Sequence, residues 1–336
     1  MKQSPRYINT ADYLKYKRAF TFVLGSRGIG KSYSSLLLPL ERPEYRKMLY
    51  LRNTQEQLNV CLKDFANPYK RINLDRNYIV KMDKEMNYAY INDYTEDSMN
   101  PECIGYAAAL STFNNLRSLD MSDVNLILAE EAIQRQTLMY DQFSAFCNMY
   151  ETVARNRELE GRPPLQCLII SNTQSLDSPL LRGFNLIPRI EKMKNRGIGL
   201  HIDKDYVIAL TDGGGVSQMK SDTALYRMTA GTGYYEEALQ NDFAYDDTSG
   251  VGYQNLHAFT PVCQIDNLYI YKQKNASFYY ICWTRANKIQ LYNSKDGLSH
   301  FMRAVGMRIR MAIEKGNVSY SDYTAKRDIY KILKLS

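Results

Sequence analysis

Histidine is scarce in this 336-residue chain: His201, His257 and His300 stand far apart. Its six cysteines, Cys61, Cys103, Cys147, Cys167, Cys263 and Cys282, never form a CxxC pair. Zinc and iron–sulfur centres need such ligands at short spacing, so no structural metal is expected and the cysteines read as reduced thiols of a cytoplasmic protein. No run of about 18 uncharged apolar residues occurs, so no helical membrane span is expected. The opening "MKQSPRYINTADYLKYKRAF" has no apolar leader core, and no secretory signal is expected. There is no internal repeat and no low-complexity tract. One tryptophan contrasts with 28 tyrosines, spread throughout as core or contact surface. The length suggests about two domains.

Acidic residues become rare toward the end. From Tyr271 to Ser336 there are 13 Lys and Arg against 4 Asp and Glu, whereas the whole chain carries only +7. A basic segment with Tyr and Phe between its charges suits a phosphate-rich partner such as nucleic acid. A solvated basic face is the competing reading. On a straight helix of about 100° per residue, Arg303 and Arg310 of "MRAVGMRIRM" share a face and Arg308 points elsewhere.

What the chain does have is the string G-S-R-G-I-G-K-S from Gly25 to Ser32, a complete GxxxxGK[ST] motif. The apolar run Ala19 to Leu24 predicts a buried strand before it, and Lys31 to Leu38 predicts a helix after it, running to the breaker Pro39. In that context Gly25, Gly28 and Gly30 let backbone N–H groups turn toward phosphate oxygens at a helix N-terminus. The predicted nucleotide-binding loop comprises Gly25, Ser26, Arg27, Gly28, Ile29, Gly30, Lys31, Ser32 and Tyr33. Lys31 would reach the β/γ-phosphates and Ser32 would present its hydroxyl to Mg²⁺. A chance glycine-rich turn is the alternative.

A second signal lies in "NLILAEEAIQ", where an apolar strand ends in Glu130 and Glu131. A P-loop enzyme needs one acid at that tip to hold Mg²⁺ through water and a second to polarise the attacking water. Glu130 fits the first role and Glu131 the second, although acidic pairs also start ordinary helices. "ETVARNRE" (Glu151 to Glu158) places Arg155 and Arg157 at a helix end ahead of the strand "CLIISN". Arg155 is the candidate finger to a neighbouring subunit's γ-phosphate; a surface salt bridge with Glu151 or Glu158 is its alternative. Asn172, at the tip of "LIISN", matches a polar sensor of the γ-phosphate.

Together "FVLGSRGIGKSY", "LILAEEAI", "TVARNRE" and "IISNTQSLDSPLLRGFNLIP", in that order, resemble the DNA-packaging ATPases of φ29-like bacteriophages. The resemblance covers about Phe20 to Pro188 and thins to "AGTGYYEEALQNDFA" beyond. It implies an α/β fold: a P-loop, additional-strand catalytic-glutamate (ASCE) ATPase domain with a parallel central sheet, then a smaller α+β domain resembling a degenerate RNase H-like nuclease. It implies ATP and Mg²⁺ as cofactors, catalysis by Lys31, Glu131 and Arg155, and a pentameric ring on the capsid portal that moves double-stranded DNA. A packaging RNA is a further implied partner. So is a place in the host cytoplasm, on the procapsid and not in the mature virion. Arg117, in "NNLRSLD", lies where the family has a second basic residue reaching the neighbour's nucleotide; an exposed loop charge is its alternative. The family usually has aspartate where this chain has Glu130, one methylene longer.

The expected domains are residues 1–212 (ATPase), a linker at 213–247 holding a helix or two, and a basic domain at 248–336 that binds nucleic acid or the portal. Further predicted strands are "KMLYLR", "CIGYAAAL", "VNLILAE" and "LQCLIISN", with an inserted hairpin from Asn77 to Asp93. "NTQEQLNVCLKDFANPY" and "LMYDQFSAFCNMYETVARNRELE" read as helical. Antiparallel strands are expected in "NLYIYKQKNASFYYICWTRANKIQLYN", and two helical stretches close the chain. Beyond Asp247 the acids Asp266, Asp296, Glu314, Asp322 and Asp328 are scattered among basic residues, a poor basis for a two-metal nuclease. A helicase-like ATPase and an NTP-binding scaffold of low turnover remain as other functional readings.

Overall fold

The computed structural model describes residues 7–133, 141–172, 175–211, 214–232, 234–235 and 246–335. The chain forms two compact units, Met1–Phe184 with Met193–Tyr245, and Asn185–Lys192 with Asp246–Ser336. Among the described residues no helix is long and apolar enough to cross a membrane.

In the first unit, nine strands form one sheet: β1 (Phe20–Gly25), β2 (Met48–Arg52), β3 (Val80–Lys84), β4 (Tyr88–Asp93), β5 (Glu102–Ala109), β6 (Leu126–Glu130), β7 (Gln166–Ser171), β8 (Leu200–Ile202) and β9 (Tyr206–Thr211). Their order is β3-β4-β5-β2-β6-β7-β1-β9-β8. The six strands from β5 to β9 in that order are mutually parallel. They are continuous apolar runs because both faces are covered, as parallel sheets require. Successive side chains of β1 alternate faces. Val23 joins Leu36, Leu38, Tyr50 and Leu128 in one core, on the side of the helix Lys31–Glu41. Phe22 faces the other way and packs on Phe184, which also meets Phe146 of the helix Gln142–Ala154. The hairpin β3–β4 extends the β5 edge antiparallel, as its alternating pattern predicts.

β7 lies between the P-loop strand β1 and the acid-bearing strand β6. This is the additional-strand arrangement. The register aligns Leu24 with Ser171 and Ile170 with Glu130, so the tips of β1, β7 and β6 end at one edge of the sheet.

Several local expectations change. The helix that begins at Lys31 runs through Pro39 to Glu41. Proline removes one backbone donor there, and the burial of Leu36 through Pro39 offsets that loss. Strands β8 and β9 fall in a stretch from which no strand was expected. β9 pairs with β1 along its whole length, from Phe20 with Tyr206 to Gly25 with Thr211. The linker holds two helices, as expected, at Gly214–Ser221 and Ala224–Met228, but the stretch groups with the first unit. Gly213 and most of "GTGYYEEALQNDFA" lie outside the described residues, as does the expected helical start at 138–140.

In the second unit, β10 (Phe259–Ile265), β11 (Leu268–Gln273), β12 (Tyr279–Cys282), β13 (Gln290–Tyr292) and β14 (Val318–Tyr320) take the order β13-β10-β11-β12-β14. β11 and β12 are antiparallel as expected; β10, ahead of the predicted stretch, pairs antiparallel to β11, whereas β13 pairs parallel to β10, and β14, from a segment with no predicted strand, pairs parallel to β12. Phe301, Val305, Ile309, Ile329 and Leu333 pack on Ile265, Ile270 and Ile281 to form its core. The segment 185–192 belongs here: Glu191 accepts the Tyr323 N–H at 2.9 Å. Residues Met302–Gly306 form a π-helical turn, which takes more residues per turn than an α-helix and shifts the side-chain register. Arg303 and Arg308 are therefore both exposed, whereas Arg310 is half-buried and pairs with Glu314 at 3.5 Å. The straight-helix pairing of Arg303 with Arg310 does not describe this face.

Candidate functional site

Gly25 ends β1 where β9 passes closest. A Cβ there would overlap the Oγ1 and the carbonyl oxygen of Thr211, so only glycine admits the turn. At the far end of the loop Gly30 has φ +96°, a conformation other residues rarely adopt. The main-chain N–H of Ile8 donates to the Ile29 carbonyl at 3.0 Å, tying the preceding segment to the loop.

Lys31 is 7% exposed. Its ammonium donates to the carbonyls of Gly25 (2.8 Å) and Ser26 (2.7 Å) and to Asn172 Oδ1 (3.1 Å). Asn172 follows β7, so the additional strand brings the expected sensor onto the expected phosphate-binding lysine. Burial, then the charges of Lys220 and Arg27, lower the Lys31 pKa to about 7, and Glu130 acts in the opposite sense. Lys31, Ser32, Arg27, Tyr33, Asn172 and Glu131 line a cleft of about 780 Å³. The Ser32 hydroxyl has no hydrogen-bond partner among the described residues. Ligand clefts at the carboxyl ends of parallel strands are the rule in such sheets.

The two acids occupy different environments. Glu130 is largely buried; Tyr50 donates to its Oε2, and so does Arg52 Nη1 at 3.0 Å. Glu131 has its side chain half exposed and faces the cleft, held at Oε2 by Arg52 Nη2 at 2.8 Å. Glu131 has φ +52°. Asn53 Nδ2 donates to its carbonyl at 2.9 Å, and Gln142 Nε2 donates to Asn53 Oδ1 at 2.9 Å. Burial opposes the charge on Arg52, but Tyr50, Glu130 and Glu131 outweigh it and raise its pKa above the usual arginine value. Burial, reinforced by Glu130, keeps the Tyr50 phenol protonated. Sequence reasoning missed Tyr50, Arg52 and Asn53, which contact the two acids, and Gln142, which contacts Asn53. The available signal was an arginine ending an apolar strand that pairs with the acidic one.

Arg155 and Arg117 do not reach this cleft. Arg155 ends the helix Gln142–Ala154 at φ +49°, ψ −136°, a strained region for a residue with a side chain. It pairs with Asp120 at 3.2 Å, not with Glu151 or Glu158. Its neighbour Arg157 is buried and donates to the Val124 carbonyl at 2.8 Å, just ahead of β6. Arg155 thus stands at the sheet edge opposite its own P-loop, and β6 alone spans about 16 Å between the edges. Arg117 follows the 3₁₀ turn Leu110–Leu116, is exposed, and has no ion-pair partner among the described residues.

A glycine-rich loop, a buried lysine bonded to Asn172 and a cleft-facing glutamate lie together at parallel strand tips. Residues 1–283 match the family profile described as Podovirus DNA encapsidation protein (Gp16). The chain belongs to this family. It is 26% identical over 291 residues to the DNA packaging protein of Bacillus phage PZA, covering 85% of this chain and 78% of that one. To the DNA packaging protein of Bacillus phage phi29 it is 28% identical over 245 residues, 71% of this chain and 67% of that one. In fold it resembles a chain of the bacteriophage Phi-29 viral genome packaging motor assembly, with a TM-score of 0.63 at 21% identity over 98% of this chain and 99% of that one. A chain of the Phi-28 gp11 DNA packaging motor gives 0.58 at 17% identity, over 99% of each chain. This Gp16-family chain therefore shares its whole course, both units included, with packaging-motor subunits.

Proposed function

We propose that this Gp16-family chain is an ATP hydrolase that drives double-stranded DNA into a preformed capsid, working as a homomeric ring on the portal. The observation that carries the reading is the convergence of Lys31, Asn172, Ser32 and Glu131 on one cleft at the strand tips. Lys31 and the loop N–H groups bind the phosphate tail, and Asn172 ties the terminal phosphate to β7. Glu131 accepts a proton from the attacking water while Arg52 holds its other contacts fixed. The donor set also fits Mg²⁺: the Ser32 hydroxyl, which has no partner among the described residues, and the Glu130 carboxylate are hard oxygen ligands. Ser32 and, through water, Glu130 would hold the ion, which would supply positive charge to offset that of the phosphates. The extra methylene of Glu130 is accommodated by the Tyr50 and Arg52 contacts that fix its carboxylate.

In this reading the ATPase domain expected at residues 1–212 is the first unit, Met1–Phe184 with Met193–Tyr245, and the basic unit from about 248 holds nucleic acid or the portal. Four of the five acids beyond Asp247 are engaged separately: Asp266 accepts the Ser294 N–H, Glu314 pairs with Arg310, Asp322 accepts the Trp283 indole N–H, and Asp328 pairs with Arg327. A grip without cleavage suits such a surface better than a two-metal nuclease. A pentamer, a packaging RNA, and action in the host cytoplasm on the procapsid belong to the same proposal.

The test is ATP turnover and DNA protection from nuclease, measured with portal-bearing capsids and without them. Both are expected to rise together only when capsids are present; turnover stimulated instead by single-stranded DNA alone would favour a helicase-like enzyme.

The Lys31 environment gives a second expectation. Phosphate binding stabilises the ammonium and raises a pKa that stands at about 7 in the free site. Below that value the lysine is already protonated and no uptake follows. Above it, binding takes up a proton, and affinity falls as pH rises. Calorimetric titration near pH 8 in buffers of different ionisation heat should report uptake of a large fraction of one proton per nucleotide.

A further inference from the structure

The helix Gly214–Ser221 lies in the stretch whose sequence reads as a linker. Val216 is buried, and Lys220, one turn on, shares its face. The Lys220 ammonium donates to the carbonyl of Arg27 inside the P-loop. A Cβ placed on Gly28 would overlap that same Nζ, so the ammonium rests directly on the loop. Lys220 is half-buried, and no carboxylate pairs with it among the described residues. An ammonium has three donors, and among the described residues the Arg27 carbonyl is the acceptor that Lys220 meets.

Two ammonium groups, those of Lys31 and Lys220, thereby contact one short loop. Lys220 contributes to lowering the Lys31 pKa, and burial lowers its own. An ammonium close enough to depress the Lys31 pKa repels it, and an anion bound between the two relieves that repulsion. Charge-assisted bonds to phosphate oxygens are among the strong ones. The benefit of each cation grows with the number of phosphates it faces.

We propose that Lys220 is a further phosphate-binding residue, supplied in cis by the helix that follows β9, and that it sets the preference of the loop for nucleotides with longer phosphate tails. This rests on the reading of Gly25–Ser32 as a nucleotide site. If Lys220 only braced the loop, its loss would weaken every nucleotide alike.

The test uses the full chain with Lys220→Met, which keeps the stem and removes the charge, and Lys220→Arg, which keeps the charge. Affinities for the magnesium complexes of AMP-PNP and ADP, and for AMP, are measured by calorimetry. Lys220→Met should weaken AMP-PNP about tenfold, ADP by less, and AMP hardly at all, the size of one charged hydrogen bond. Lys220→Arg should restore most of the difference. Equal losses for all three nucleotides, or none, would overturn the proposal while leaving the P-loop reading intact. Failure of the unsubstituted chain to bind any nucleotide would remove both. A melting temperature measured for each variant separates a general loss of folding from the graded effect.

Discussion

Glu131→Gln is expected to bind Mg–ATP about as tightly as the parent chain and to lose turnover by about 10²–10⁴-fold, the cost of removing a positioned general base. The substitution is nearly isosteric. Its amide oxygen can still accept from Arg52 Nη2, so the link that now spans 2.8 Å survives. What disappears is the basic lone pair that faces the cleft. Glu130→Gln should behave differently, because that carboxylate is largely buried and bound by Tyr50 and Arg52. Its effect should fall on the Mg²⁺ concentration needed for activity. The two variants are separated by measuring kcat at saturating Mg²⁺ and nucleotide affinity in parallel. A Glu131→Gln chain with parental kcat would move the base to another residue.

Arg155→Ala is expected to leave nucleotide affinity unchanged and to lower hydrolysis in assembled rings by about 10³–10⁵-fold, the contribution of an arginine finger. The residue stands at the sheet edge away from its own P-loop and pairs there with Asp120, so the proposed ring would have to bring that edge to a neighbour's cleft for Arg155 to act. Its ion pair with Asp120 involves half-exposed and exposed partners, and such pairs contribute little to stability. Loss of activity would therefore not be a folding effect. Mixing Arg155→Ala with Glu131→Gln subunits tests the trans geometry. One mixed interface carries both an intact glutamate and an intact arginine, and some turnover should return. Turnover absent at every mixing ratio would assign Arg155 a role within its own subunit.

The sequence by itself determined the P-loop, the acidic strand tip and the strands that bear them. Those features are local: a fixed spacing of Gly, Lys and Ser, and runs of apolar residues long enough to be buried strands. Glu131 and Lys31 were legible because their chemistry is tied to position within such a motif. Tertiary structure alone decided which residues support them. Arg52 reaches Glu130 and Glu131 because β2 and β6 are parallel neighbours, a pairing 78 residues apart that no local pattern encodes. Asn172 meets Lys31 across 141 residues, because β7 is inserted beside β1. β9 escaped the sequence reading since its short apolar run follows a polar turn, yet its burial beside β1 fixes Gly25 and precedes the helix carrying Lys220. The sequence names Arg155 as a finger, but only the fold puts it opposite its own nucleotide cleft. Sheet order and edge are global properties, set by which apolar faces can be buried together, and a linear pattern of residues does not contain them.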